Sequence, residues 1–166
     1  MQNRGFLEVS EPFIKYKKKV AAHGKTLDIA PETFLPKRAD VGSAGYDFYT
    51  PVDIMLLPGE TKVIWTNVKA FMQPNEVLLL FIRSSVGVKQ NVTLANGTGV
   101  IDVSYFENKD NDGNIGIALR NNTGQAKEFK AGERIAQGIF MPYLVADEDE
   151  VMGDERKGGF GSSGKE

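Results

Sequence analysis

Residues 92–105 have the sequence VTLANGTGVIDVSY, in which the pair Asn96-Gly97 lies between two apolar stretches. Asn-Gly is favoured where a two-residue β-hairpin needs positive φ angles. The run therefore predicts a hairpin that holds Asp102 on rigid strand backbone. A carboxylate at the mouth of a hairpin can accept a proton from water beside a phosphate or a carbonyl. Many Asn-Gly hairpins are only turns, so a purely structural role is the alternative.

The same strand character continues on both sides of this run. From about residue 45 to residue 144, short β-branched or aromatic runs alternate with Gly, Pro and Asn. This pattern predicts an all-β fold, a barrel or jelly-roll-like sandwich, with one short helical turn at 84–88. The predicted strands are 46–49, 62–65, 77–82, 100–105, 115–119 and 135–141.

The length of 166 residues, of which 41% are hydrophobic, fits one globular domain. We expect residues 1–145 to form a single β-barrel domain and residues 146–166 an acidic linker with a flexible Gly-rich lid. No apolar run approaches the roughly 20 residues of a membrane span, and the first residues lack a signal-peptide core. A cytoplasmic protein without a membrane partner is expected.

The composition limits the chemistry available. Cysteine is absent, and His23, in a polar stretch, is the only histidine. A Ser-His-Asp triad or a His-rich metal site is therefore hard to assemble, which leaves carboxylates, hydroxyls, backbone amides and a hard cation such as Mg²⁺. Residues 1–145 carry 17 Lys or Arg and 15 Asp or Glu, so an extended nucleic-acid partner is disfavoured. These limits favour phosphate chemistry that uses water.

The end of the chain differs in kind from the rest. An acidic stretch is followed by the sequence RKGGFGSSG at 156–164. Such a segment cannot supply a core, because Gly orders at a high entropic cost and Phe160 alone offers appreciable apolar area. It is either an inert terminus or an arm that closes over a bound anion through Arg156, Ser162, Ser163 and backbone N–H groups.

Five runs, in order, resemble the five motifs of the trimeric dUTPase (deoxyuridine triphosphate nucleotidohydrolase) family. The resemblance implies a homotrimer of jelly-roll-like distorted β-barrels with shared active sites. It also implies Mg²⁺-assisted hydrolysis of dUTP to dUMP and pyrophosphate, which limits uracil incorporation into DNA and supplies dUMP for thymidylate synthesis. The runs are GSAGYDF at 42–48, RSS at 83–85, NGTGVIDVSY at 96–105, GERIAQ at 132–137 and GGFGSSG at 158–164.

The third motif carries most of the implied chemistry. Asp102 matches the general base that activates the water attacking the α-phosphorus. Asn96 and the backbone of Gly99, Val100 and Ile101 match the segment that reads uracil. Tyr105 matches the ring that lies against the deoxyribose and leaves no room for a 2′-hydroxyl.

The other motifs match phosphate and metal contacts. Arg83, Ser84 and Ser85 match the phosphate-contacting run. Gln137 matches a glutamine near the phosphates, and Asp47 matches a carboxylate associated with the metal through water.

The last motif matches a lid, in which Phe160 stacks on uracil while Arg156, Gly161, Ser162 and Ser163 close on the phosphates. Arg156 lies two residues before the Gly-Gly pair, whereas the family commonly has this arginine three residues before it.

Three further departures from the family pattern are visible. Ser104 replaces a usual Asp, and residues 106–113 lengthen a turn, as in Gram-positive bacterial and phage members. The first 34 residues exceed the family core and are assigned no site.

Two alternatives stay open from the sequence. A deoxycytidine triphosphate deaminase of the same fold would want Glu where this chain has Asp102. A phage-type regulatory protein would use the dUTP site to bind a repressor protein, and the acidic loop 106–113 would be the expected partner surface.

Overall fold

Antiparallel strands dominate the computed structural model, which describes residues 2–151. The all-β prediction is confirmed. One α-helix, α1 (Ser84–Gln90), and two 3₁₀ turns, Glu11–Phe13 and Val103–Tyr105, interrupt the strands. The strands are β1 (Gly5–Glu8), β2 (Lys18–Ala22), β3 (Lys25–Ile29), β4 (Lys37–Arg38), β5 (Tyr46–Tyr49), β6 (Ile54–Leu56), β7 (Thr61–Trp65), β8 (Val68–Phe71), β9 (Glu76–Ile82), β10 (Val92–Leu94), β11 (Gly99–Asp102), β12 (Gly116–Asn121), β13 (Lys127–Phe129) and β14 (Arg134–Pro142).

The largest sheet has five strands in the order β11-β9-β14-β5-β4. A three-stranded sheet, β10-β12-β7, and the pairs β1-β8 and β13-β6 complete the body. The sheets share one hydrophobic cluster that includes Phe48, Leu78, Ile117, Phe129 and Ile135, each at most 1% exposed. Strands whose alternate residues enter one core must keep their register, because a shift of one residue would expose the buried set.

The predicted strands agree closely with the observed ones in five of six cases, with ends that differ by at most two residues. The predicted helical turn is also present, as α1. The sixth strand, 100–105, ends at Asp102, where a 3₁₀ turn begins. The turn changes the direction of the chain and lets Tyr105 enter the core, at 5% exposure.

The Asn-Gly hairpin prediction is wrong in its pairing. β10 pairs with β12 and β11 pairs with β9, so the turn joins strands of two different sheets. The Gly97 N–H bonds to the Leu94 carbonyl at 3.1 Å, and of the pair only Gly97 has a positive φ, +73°. This is a β-turn with Gly at its fourth position, in place of a primed turn with two positive φ angles.

A true two-residue hairpin lies elsewhere, between β2 and β3. Its turn residues, His23 and Gly24, have φ of 49° and 75°, the signature of a type I′ turn. His23 is exposed, as predicted. Among residues 2–151 this hairpin pairs with no further strand. No helix of the described chain is long and apolar enough to cross a membrane.

Gly138 on β14 tests how tightly the core is packed. A Cβ at this position would lie 2.8 Å from Phe48 Cε2 and 2.9 Å from Leu78 Cδ1. We expect Gly138→Ala to lower the free energy of unfolding by about 1–3 kcal/mol through overpacking. Gly124→Ala, where a Cβ would meet nothing within 4 Å, is the matched control. Urea unfolding at one fixed protein concentration measures both, and equal stabilities of the two variants would contradict the packing argument.

Candidate functional site

Strand pairing brings three predicted site residues together on the three middle strands of the large sheet, β9, β14 and β5. Gln137 on β14 is paired with Asp47 on β5 and, across the other side, with Phe81 on β9. Directly paired residues project their side chains on the same face. Arg83 follows the last residue of β9, so it enters the same region. The register therefore places Gln137 beside Asp47, with Arg83 two residues beyond the position paired with Gln137 on β9.

Asp47 links two arginines. Its Oδ1 lies 2.8 Å from Arg83 Nε, and its Oδ2 accepts a hydrogen bond of 3.2 Å from Arg134 Nη1. Asp47 is only 6% exposed, which strengthens both ion pairs relative to surface pairs. Arg83 also donates from Nη1 to Ser85 Oγ at 3.3 Å. One carboxylate therefore fixes two cations whose other N–H groups can meet an anion.

Arg134 is a residue of this site that the sequence reasoning did not assign, although it lies within the quoted run GERIAQ. The register of β14 against β5 shifts between Arg134 and Ala136. A bulge of this kind redirects the side chains beside it, and here Arg134 contacts Asp47 while Ile135 and Ala136 are both buried. The signal available in the sequence was this break in the apolar and polar alternation.

A depression with a volume of about 270 Å³ lies beside Asp47 and Arg83. Gly45 forms part of its wall, and a Cβ there would come within 2.7 Å of Gln137 Oε1. A glycine thus leaves room for the glutamine side chain. Asp47, Arg83, Ser84 and Gln137 also line this depression. Its donors suit an elongated anion.

The remaining predicted residues of the third motif lie on and beside β11. Asp102, its last residue, is exposed, as is Asn96 in the turn before β11. Gly99 is buried because Leu80 of β9 packs against it, 3.0 Å from where a Cβ would be. Val100 is 55% exposed. Asn96 and Asp102 are thus both accessible on the outside of the protein.

Within this β11 group, Asp102 lies far from Arg83 of the same chain. Asp102 is paired with Val77, six residues before Arg83 along β9. At about 3.4 Å per residue, the two positions are about 20 Å apart. A single copy of the described chain therefore does not bring Asp102 and Arg83 into one pocket.

Tyr105 is held by its hydroxyl, which points into the protein. It donates a 2.7 Å hydrogen bond to the Asn114 carbonyl and accepts one of 2.7 Å from Asn111 Nδ2. Asn111 is a second residue that the sequence reasoning missed. It belongs to the 106–113 insertion, for which the family motifs offer no template.

Loop 106–113, the expected partner surface, is folded against the body of the protein, while Lys109 and Asp110 are exposed. Lys69, 5% exposed, binds Glu107 at 2.9 Å and Asp112 at 3.1 Å. Burial lowers the pKa of Lys69, but its bonds to both carboxylates outweigh burial and raise it above its usual range. Burial likewise raises the pKa of Asp112, and hydrogen bonds from Ser10 and Lys69 outweigh that effect and lower it.

The last-motif residues Arg156, Phe160, Gly161, Ser162 and Ser163 lie outside the described residues. Within residues 2–151, no group of three or more His, Cys, Asp or Glu side chains could hold a metal ion. Both oxygens of Asp47 face arginines. A cation near Asp47 would therefore need other ligands, such as phosphate oxygens and water.

Comparisons with known proteins agree with the motif resemblance. A family model described as dUTPase matches residues 32–164. The deoxyuridine 5′-triphosphate nucleotidohydrolase of Lactococcus lactis subsp. lactis is 47% identical over 131 residues, which cover 78% of this chain and 87% of that protein.

Solved structures agree as well. The crystal structure of the dUTPase from Streptococcus mutans is 37% identical, with a TM-score of 0.71, over 86% of this chain and 98% of that one. A mutant of the dUTPase from phage phi11 of S. aureus, described with a structural Mg(II) ion, is 22% identical, with a TM-score of 0.66, over 93% of this chain and all of that one. At that identity the phage protein shows a shared fold.

The arginine pair predicts measurable anion binding. We expect Arg134→Ala to weaken binding of inorganic triphosphate about tenfold or more, because a hydrogen bond to a charged group contributes about 1.5–3 kcal/mol. Arg120→Ala removes an exposed arginine on β12 and is the matched control. Isothermal titration calorimetry measures both variants, and an equal loss in the two would mean that only net charge matters.

Proposed function

The chain belongs to the dUTPase family and is a dUTP nucleotidohydrolase, and we propose that Asp102 supplies the base for the reaction. The exposed carboxylate of Asp102 takes a proton from a water molecule, whose oxygen attacks the α-phosphorus of dUTP. The bond from the α-phosphorus to the oxygen that bridges to the β-phosphate breaks. The products are dUMP and pyrophosphate, and the proton stays on Asp102 until it is released to solvent.

The observation that supports hydrolysis of a triphosphate at this site is the pair of arginines, Arg83 and Arg134, fixed by Asp47. Charge builds up on the leaving pyrophosphate as the bridging bond breaks. Arg83 and Arg134, already oriented by one buried carboxylate, stabilise that charge without reorganising. Ser84, Ser85 and Gln137 add neutral donors beside them. Together they form the proposed triphosphate subsite.

Uracil and deoxyribose are read on the β11 group. Asn96 and the backbone of Gly99, Val100 and Ile101 are proposed to bond the uracil edge, and Tyr105 to lie against the sugar. A pocket built to satisfy one set of base donors and acceptors rejects other bases, because their polar groups would be left unpaired. This assignment rests on the family motif and on the exposure of Asn96.

Magnesium fits this site as a cation carried by the triphosphate. Mg²⁺ favours octahedral oxygen ligands and keeps several waters, so phosphate oxygens can hold it with Asp47 reached through water. When bound, it would neutralise phosphate charge and polarise the phosphorus–oxygen bonds. Asp47 itself is committed to its two arginines, which disfavours its direct ligation of the metal.

The separation of about 20 Å between Asp102 and Arg83 favours a site formed between copies of the chain. In a closed ring of three copies, Asp102 of one copy can face Arg83 of its neighbour, and the interface repeats until the ring closes. We therefore propose a homotrimer with three shared sites. The closing role of residues 156–163 is part of the same prediction.

The two alternatives now have different standing. Deamination of dCTP finds no support, since the relatives described above are named for dUTP hydrolysis. A repressor protein as partner stays a prediction. The cytoplasm, where a nucleotide hydrolase would meet its substrate, stays the expected compartment.

Asp102→Asn tests the base. This change keeps the shape of the side chain and removes its basicity, so turnover of dUTP should fall by roughly 10²–10⁴-fold. Binding of a non-hydrolysable dUTP analogue, measured by calorimetry, should survive. Asp110→Asn, an exposed carboxylate in the neighbouring loop, should leave both quantities unchanged. If Asp102→Asn turns over within a factor of about three of the parent, Asp102 is not the base.

A mixture of two inactive variants tests the shared site. Asp102→Asn and Arg83→Ala chains, refolded together, should form some sites that take Asp102 from one copy and Arg83 from the other. Random mixing at equal amounts completes about a quarter of the sites. Pyrophosphate release should therefore return well above that of either variant alone.

The control mixture combines Asp102→Asn with Tyr105→Ala, whose defects lie on the same β11 group. It should add nothing to the residual activity of Tyr105→Ala. If native mass spectrometry finds mixed trimers and the first mixture stays inactive, each copy completes its own site and the shared-site proposal fails.

A further inference from the structure

The hydroxyl of Tyr105 and the side chain of Asn111 point to a role for the 106–113 loop in substrate choice. We propose that Asn111 is a positioning residue, which holds the Tyr105 ring against the sugar and thereby sets the preference for deoxyribose over ribose. This inference rests on the proposed role of Tyr105. It concerns a residue that lies outside the five motif runs.

The amide of Asn111 is held at both of its ends. Its Nδ2 donates to the Tyr105 hydroxyl at 2.7 Å, while its Oδ1 accepts from Asn108 Nδ2 at 2.7 Å and from the Gly113 N–H at 3.0 Å. Asn108 Nδ2 donates in turn to the Tyr105 carbonyl at 2.8 Å. Only one orientation of the Asn111 amide makes all of these hydrogen bonds, and in that orientation its Nδ2 donates to the Tyr105 hydroxyl.

The loop that carries Asn111 is braced against the body. Asp112 accepts a 2.6 Å bond from the Ser10 N–H and pairs with Lys69. Gly113 has a φ of +78°, and a Cβ at this position would come within 2.8 Å of the Tyr105 carbonyl. The loop therefore closes tightly over the base of Tyr105 and cannot yield without breaking buried contacts.

A ring fixed at its hydroxyl end resists sideways displacement. A 2′-hydroxyl on the sugar would need that displacement if Tyr105 lies where the family motif implies. Uracil is read separately, by Asn96 and the backbone of β11. Loosening Tyr105 should therefore relax the choice of sugar and leave the choice of base intact.

The experiment compares the parent with Asn111→Ala, Tyr105→Phe, the double variant and Tyr105→Ala. kcat/KM is measured for dUTP, UTP and dCTP, after native mass spectrometry has checked that each variant assembles as the parent does. We expect Asn111→Ala to lower the dUTP-to-UTP ratio about three- to tenfold, with the dUTP-to-dCTP ratio unchanged. Asp110→Ala, an exposed neighbour in the loop, should change neither ratio.

The double variant separates positioning from a general loosening of the fold. Asn111 and the Tyr105 hydroxyl act through one hydrogen bond, so the combined loss should be no larger than the larger single loss. If the dUTP-to-UTP ratio falls in Tyr105→Ala but not in Asn111→Ala, the inference about Asn111 is wrong, while the proposed sugar contact of Tyr105 stands. A ratio unchanged in Tyr105→Ala overturns the proposed sugar contact and the inference with it. Equal losses on all three substrates in Asn111→Ala would show a structural role only.

Discussion

Strand β14 pairs with β9 on one side and β5 on the other. This double pairing positions the charged residues of the candidate site. Gln137 is fixed opposite Asp47 by the register alone, and Arg83 enters at the end of the neighbouring strand. Both oxygens of the buried carboxylate of Asp47 are paired with arginines, which offsets part of the cost of removing its charge from water. Removing either arginine would leave part of that charge uncompensated.

The same sheet also separates the two halves of the chemistry. Arg83 directly follows the last residue of β9. Asp102, at the end of β11, is paired near the beginning of the same strand. A sheet strand is stiff, so the distance of about 20 Å is a fixed property of the fold and no local movement can close it. If Asp102 supplies the base, as proposed above, a neighbouring copy has to supply the arginines, and activity would then require assembly.

The sequence predicted those features of the fold that depend on a single local property of the chain. Short β-branched or aromatic runs bounded by Gly, Pro and Asn located five of the six predicted strands, because such runs supply the side chains of the shared core. The Asn-Gly pair located a turn but not its partners, since a turn signal does not say which sheet each strand joins. The break in apolar and polar alternation at Ile135 and Ala136 indicates a bulge, but it does not say that Arg134 reaches Asp47. The bond from Asn111 to Tyr105 depends on how the 106–113 loop folds, for which the sequence offers no pattern. Residues 152–166, with the predicted lid, lie outside this comparison.

The loop behind Tyr105 is held by the ion pair between Asp112 and Lys69. The pKa of Asp112 is lowered and the pKa of Lys69 is raised. The lowered pKa of Asp112 means that its pairing stabilises the fold above the ordinary carboxyl value of about 3.8 and is lost only as pH falls through the lower folded value. The raised pKa of Lys69 means that its contribution is complete below about 10.5 and is lost only as pH rises through the higher folded value. Across the neutral range the brace does not titrate. A change of activity with pH in that range therefore reports on the reacting groups and the substrate phosphates, while the wall behind Tyr105 stays in place.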